Sequence, residues 1–249
     1  MKKLLLILAA FAALSCSEVE QMKTVTFSVT GVQSGVMTKV ASDDVSAVLS
    51  ASASPFTMSL TLTSKTNPAR TYTVNAGASA TVAIDSYHVD GFLGGGDALM
   101  SLIGGGKAYR YPLMSVSADV EVTDDVDSYS LDASYQCLAL IIDYTACSSY
   151  DVLSNNGNLS ELSGMTRSGD VGIAYLTYGT GWTTNPMRVV ANPVDDVNYE
   201  SKEFRLRTDA GGNPRAEYGK WYCFYPGAVA VTSGSISVSA PGWSEGYNQ

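Results

Sequence analysis

Alternation of apolar and polar residues with period two is the feature that most constrains this chain. Val25, Phe27 and Val29 alternate with Thr24, Thr26, Ser28 and Thr30. Met58, Leu60 and Leu62 alternate with Ser59, Thr61 and Thr63. The same pattern runs through 116–122, 203–207 and 235–239. A two-residue period puts successive side chains on opposite faces of a strand, one toward a core and one toward water. Polar faces rich in Ser and Thr suit that geometry. The stretch 135–144, Tyr-Gln-Cys-Leu-Ala-Leu-Ile-Ile-Asp-Tyr, is apolar at both parities and predicts a central strand covered on both sides. Asn67-Pro68, Asn75-Ala76-Gly77, Asn156-Gly157, Asn185-Pro186 and Gly211-Gly212-Asn213-Pro214 punctuate these runs as turns. Many short strands between such turns predict an all-β protein of sandwich type with little helix.

Two short segments break the pattern. Residues 97–103, between the triplets Gly94-Gly95-Gly96 and Gly104-Gly105-Gly106, predict a short helix with Asp97 as N-cap and Gly104 as a left-handed stop. Residues 159–164 predict a second one. The glycine-rich stretch 91–106 reads as a flexible joint. The boundary it implies separates a sandwich over 24–110 from another over 111–249, each of ordinary domain size. The apolar segment 98–103 would cost solubility if left bare, which raises the idea of an exposed clip for a partner subunit.

The N-terminus is an address. Met1-Lys2-Lys3 is followed by an uncharged apolar run over 4–14 and then Ser15-Cys16. A basic start, an apolar stretch and a small residue before the cut form an export signal over 1–15. The run falls short of the ~20 residues that span a bilayer. Ala13-Leu14-Ser15-Cys16 resembles the lipobox of bacterial lipoproteins, which implies acylation of Cys16 and a tether over 16–23. Loss of Lys2 and Lys3 with the leader takes the formal charge from −9 to −11. Such an acidic chain has no electrostatic basis for binding nucleic acid. With Cys16 given to lipid, Cys137, Cys147 and Cys223 remain, an odd set that allows one disulfide plus a thiol, or none.

Segment order carries a further resemblance. Val25-Thr-Phe-Ser-Val-Thr30 follows soon after the lipidated Cys, with Met37-Thr38-Lys39 behind it. Then come Arg70-Thr-Tyr-Thr-Val-Asn75, Ala80-Thr-Val-Ala-Ile-Asp-Ser-Tyr-His-Val-Asp-Gly91 and a closing Ala240-Pro-Gly-Trp-Ser-Glu-Gly246. The chain resembles the fimbrillin-like surface lipoproteins of Bacteroides-type bacteria. That resemblance implies two tandem antiparallel sandwiches of Greek-key, transthyretin-like type. It also implies a lipid-anchored outer-membrane protein at the cell surface, with fimbrial or other surface subunits, or host and glycan ligands, as partners. Precursors of that family carry an Arg cleavage site after the first strand. Here Lys39 stands nearby and the first Arg is Arg70, so a retained lipid fits an anchor or accessory subunit.

No chemistry-bearing constellation emerges, and neither a cofactor nor a bound metal is expected. His88 is the only histidine. Its parity opposes that of Tyr87 and Val89, so it should face water beside Asp85 and Asp90, where a Ser-His-Asp site is less expected than a merely titrating ring. Gly104-Gly-Gly-Lys107 lacks the first Gly and the Ser/Thr of a phosphate loop. Asp124, Asp125 and Asp127 are the best calcium candidates, but they read more simply as solvated turn residues. Trp182, in Tyr178-Gly-Thr-Gly-Trp-Thr-Thr-Asn-Pro186, and Trp243 sit in loops by composition. They are the candidate contacts for a ligand or partner. The expected role is non-enzymatic adhesion or fimbria-like assembly. A glycan-binding surface protein using loop aromatics is the alternative, and a secreted hydrolase comes third.

Overall fold

The computed structural model describes residues 20–31, 47, 54–209 and 215–228. The leader, Cys16, Lys39, the alternating run 235–239 and Trp243 lie outside these residues. The first strands are β1 (Met22–Gly31), β2 (Ser59–Ser64), β3 (Thr71–Asn75), β4 (Ser79–Ala83) and β5 (Ser86–Leu93). Next come β6 (Ala98–Ser101), a 3-10 turn (Ile103–Gly105), β7 (Lys107–Tyr109), β8 (Met114–Glu121) and β9 (Ser128–Tyr135). The rest are β10 (Leu138–Asp143), β11 (Cys147–Leu153), β12 (Leu159–Glu161), β13 (Thr166–Ser168), β14 (Val171–Leu176), β15 (Met187–Pro193), β16 (Tyr199–Glu200), β17 (Lys202–Leu206), β18 (Trp221–Cys223) and β19 (Gly227–Ala228). The protein is all-β, as the alternation requires.

Seven strands form one folded-over sheet in the order β3-β2-β5-β8-β9-β1-β4. Its inward residues meet in a single core: Val25 and Phe27 of β1, Leu60 and Leu62 of β2, Tyr87 and Val89 of β5, and Leu131 of β9. β1 pairs antiparallel with β4 over Met22–Thr26 and parallel with β9 over Thr26–Gly31. The second sandwich faces a sheet β18-β10-β14-β7-β6 against a sheet β12-β11-β15-β17. Leu138, Leu140 and Ile142 of β10 enter the core between them, with Val152, Val189 and Leu206 from the facing sheet. The alternate residues Ala139 and Ile141 enter a smaller cluster with Leu113 and Ile173 on the opposite face. Every residue of β10 is buried, as its sequence predicts.

Pairing corrects the expected division at 110/111. β8 and β9, residues 114–135, belong to the first sheet, whereas β6 and β7 pair into the second through Tyr109↔Tyr175 and Ala108↔Leu176. The chain therefore crosses to the second sandwich, returns, and crosses again after Tyr135. The expected helix over 97–103 is also corrected. Ala98–Ser101 is a strand that folds back onto β7. Seven residues nucleate a helix poorly, and the hairpin gives their backbone partners at once. Nor is the segment a bare clip: Leu102 is fully buried, and Leu99, Met100 and Ile103 pack against the core. Gly104 is left-handed (φ +71°), and a Cβ there would lie 2.2 Å from the Thr180 carbonyl oxygen. The glycine thus serves a close backbone approach and not a flexible joint. The expected helix over 159–164 is replaced by β12, which pairs with β11.

Burial separates structural from dispensable aromatics. Phe27 is fully buried and stacks on Tyr129 with centroids 5.5 Å apart, whereas Phe92 is 57% exposed. Phe27→Ala should lower unfolding free energy by about 3–5 kcal/mol and Phe92→Ala by less than about 0.5 kcal/mol. Urea denaturation of the two variants checks the contrast, and equal losses would refute this placement of the core.

Candidate functional site

β5 and β8 pair antiparallel along their whole lengths, with His88 opposite Asp119. Outward parity sets His88, Asp90, Ser117 and Asp119 together on the solvent face. His88 Nδ1 lies 2.9 Å from Asp119 Oδ1, and Nε2 lies 3.3 Å from Asp90 Oδ1 and 3.4 Å from Ser117 Oγ. Lys65 Nζ completes the network at 2.5 Å from Asp119. Asp85, expected beside His88, is instead held elsewhere. Its carboxylate accepts from Ser64 at 2.5 Å, Thr66 at 2.7 Å and Arg70 at 3.0 Å. The Ser64 hydroxyl foremost keeps its pKa below the usual carboxylate value.

Ser117, His88 and Asp119 reproduce the connectivity of a catalytic triad without its conditions. The Ser117–His88 separation exceeds the ~2.6–3.2 Å of a working nucleophile–base pair. Nε2 also has a competing carboxylate, Asp90. Hydrogen bonding to Asp119, then the charge of Asp90, raises the His88 pKa, which favours an imidazolium over a free base. The ring is exposed on a sheet face, so water screens whatever charge it carries. Stability from this network is present below the ordinary value of 6.5 and is lost as pH rises through the higher folded value. An NMR titration of the His88 ring should give a midpoint above 6.5, and Asp119→Asn should lower it. A midpoint unmoved by Asp119→Asn would contradict the assigned cause.

Beside this network the sheet opens. β8 and β9 pair only at Met114↔Tyr135 and Ser115↔Ser134, then diverge into the two layers of the sandwich. A cleft of about 410 Å³ lies between 117–121 and 129–132. Ser117, Asp119, Glu121, Ser130 and Asp132 are exposed along its rim, while Ala118, Val120 and Tyr129 are half-buried toward the core. Tyr129 closes one end: its hydroxyl donates to the Glu121 carbonyl at 2.9 Å and accepts the Thr123 amide at 3.2 Å. Sequence alone does not mark these rim residues as a site. The signal available was three acidic residues at outward parity on two strands, but only their pairing shows that they face one opening.

The other candidates take structural places. Trp182 is corrected outright: it is fully buried, and its indole N–H donates to the Ile103 carbonyl at 2.9 Å. It closes the core and offers no face to a ligand. Asp124 and Asp127 hold β1. Lys23 Nζ reaches the Asp124 carbonyl and the Asp127 carboxylate, each at 2.6 Å, and Gln21 donates to Asp124 at 2.7 Å. Among the described residues, no three His, Cys, Asp or Glu side chains are placed to hold a metal ion. Cys137, Cys147 and Cys223 are free and buried. Burial pushes the Cys137 thiol up to about 12 and Cys223 to about 11, so each stays protonated and unreactive at neutral pH.

No protein-family model matches the chain, and no curated protein matches it in sequence. Solved structures do. A fimbrial assembly protein of Parabacteroides distasonis is 9% identical over 82% of this chain and 90% of its own, with a TM-score of 0.39. A fimbrial protein of Bacteroides ovatus is 10% identical over 83% of this chain and 49% of its own, with a TM-score of 0.40.

Proposed function

We propose that this chain is a non-enzymatic lipoprotein of the outer membrane, displayed at the cell surface, that acts in adhesion or fimbria-like assembly as an anchor or accessory subunit. The observation that carries the proposal is the seat of β1. Cys16 stands six positions before Met22, where β1 begins. β1 is clamped by β4 along its first half and by β9 along its second. Lys23 adds an ionic pin to the 124–127 turn. Ladder hydrogen bonds run perpendicular to the strands. A pull on the lipid loads β1 along its axis, so these bonds are sheared together and do not open one by one. Such a seat suits a protein that carries force between a membrane and a partner.

Each buried CH₂ of an acyl chain contributes ~0.8 kcal/mol, so several chains hold where one is marginal. Among the described residues the exposed features are strand edges, sheet faces and the open cleft between β8 and β9, which suit protein surfaces. The glycan alternative loses Trp182, and Trp243 would have to carry it.

Cys16→Ala should abolish incorporation of labelled palmitate and shift the protein out of the membrane fraction. Protease added to intact cells should digest the wild-type chain. Label retained on Cys16→Ala would refute the anchor, and full protection from protease would refute surface display. Wild type and His88→Ala should hydrolyse a chromogenic short-chain ester equally, at the rate of buffer alone. A faster wild-type rate that His88→Ala removes would show an enzyme.

A further inference from the structure

We infer that the β8–β9 cleft is an acceptor for an extended segment of a partner protein in which apolar residues alternate with Lys or Arg. The inference supplies a contact for the adhesive role and rests on that role for its biological meaning. β1 stays in place throughout, because the cleft exists in the complete sheet.

Backbone polarity supports the inference first. The Val122 amide donates to the Asp85 carbonyl, which fixes the ladder phase: even-numbered residues of β8 hydrogen-bond toward β5. Ser117 and Asp119 therefore turn their N–H and C=O groups away from β5, toward the opening. On β9, the Asp127 carbonyl accepts the Thr26 amide, so odd-numbered residues face β1. Ser130 and Asp132 turn theirs toward the same opening. Continued in its own register, the β8–β9 ladder would set Ser117 against Asp132 and Asp119 against Ser130. Divergence of the strands ends it first. The cleft thus presents two strand edges to one space, the arrangement that strand addition exploits.

Side chains then define the occupant. From Ser117 to Val120, short of the end that Tyr129 closes, the edge runs about 10 Å, the length of about four extended residues. The cleft has a volume of about 410 Å³. Inward-pointing residues of an inserted strand would meet Ala118, Val120 and Tyr129, the half-buried flank of the core. Outward-pointing ones would stand beside Glu121 and Asp132, while Asp119 is already paired with Lys65 and His88. Alternation of apolar and basic residues satisfies both faces at once, whereas an acidic strand would be repelled.

The test titrates the purified full chain with a dye-labelled peptide of about eight residues alternating Val and Lys, read by fluorescence polarisation. Binding should saturate and weaken with salt. Replacing Lys by Glu, or N-methylating alternate backbone amides, should each weaken it about tenfold or more. On binding, the amides of Ser117, Asp119, Ser130 and Asp132 should gain protection from hydrogen exchange. Glu121→Lys with Asp132→Lys, both on exposed positions, should weaken the Lys peptide about tenfold and admit the Glu peptide. Equal affinity of the N-methylated peptide, or protection elsewhere, would overturn the inference, as would absence of binding. Cell attachment reads the adhesive role separately. Attachment that depends on the chain without peptide binding would refute the cleft alone, and peptide binding with unaltered attachment would refute the role alone.

Discussion

The first sandwich depends on β1 having partners on both sides. At Thr26 the strand passes from antiparallel pairing with β4 to parallel pairing with β9. β4 lies at the end of the sheet and pairs with no strand but β1. Without β1, β4 would be orphaned, β9 would lose its main ladder, and Val25 and Phe27 would leave the core. The polar face of the strand is also committed, through Thr24 to Thr81 and Thr26 to Ser79, each at 2.9 Å. Cross-strand hydroxyl pairs of this kind contribute individually little, roughly 0.2–1 kcal/mol each, but they hold the register.

The second sandwich is organised around one hydroxyl. Tyr150 is fully buried, with its oxygen 2.8 Å from the Ile141 carbonyl and 2.7 Å from the Phe224 carbonyl, while it accepts the Phe224 amide at 2.8 Å. It joins β11 of one sheet to β10 of the other and to the segment after β18. Burial raises its pKa well above the ordinary value, so it remains a neutral donor. A buried hydroxyl is tolerable only when paired, and this one satisfies main-chain groups that end a strand.

What was legible in the chain follows from physical range. Period two is local, so β1, β2, β8 and β17 were readable from residues a few positions apart. The double-sided burial of β10 was readable for the same reason. The segment 97–103 misled because a short apolar run has no distinctive period, and its partner strand lies beyond a glycine triplet. Trp182 misled because its setting is loop-like while its hydrogen-bond partner, Ile103, is far away in sequence. The division at 110/111 failed on the same ground: the pairing of β7 with β14 is long-range. The β8–β9 cleft is harder still, since it arises where a ladder stops, and residue types alone do not mark that position.

The placement of β6 and β7 has a consequence for how the protein is made. A chain is synthesised N-terminus first. The hairpin therefore emerges well before β14, the strand it pairs with, and β10 precedes its neighbour β18 by an even longer interval. Until those strands arrive, β7 and β10 lack sheet neighbours and Leu102 and the apolar face of β10 are only partly covered, the state in which unpaired edges aggregate. The first sandwich can close once β9 has emerged. The second must wait for β18, so escort by chaperones that hold unfolded chains should matter most for it.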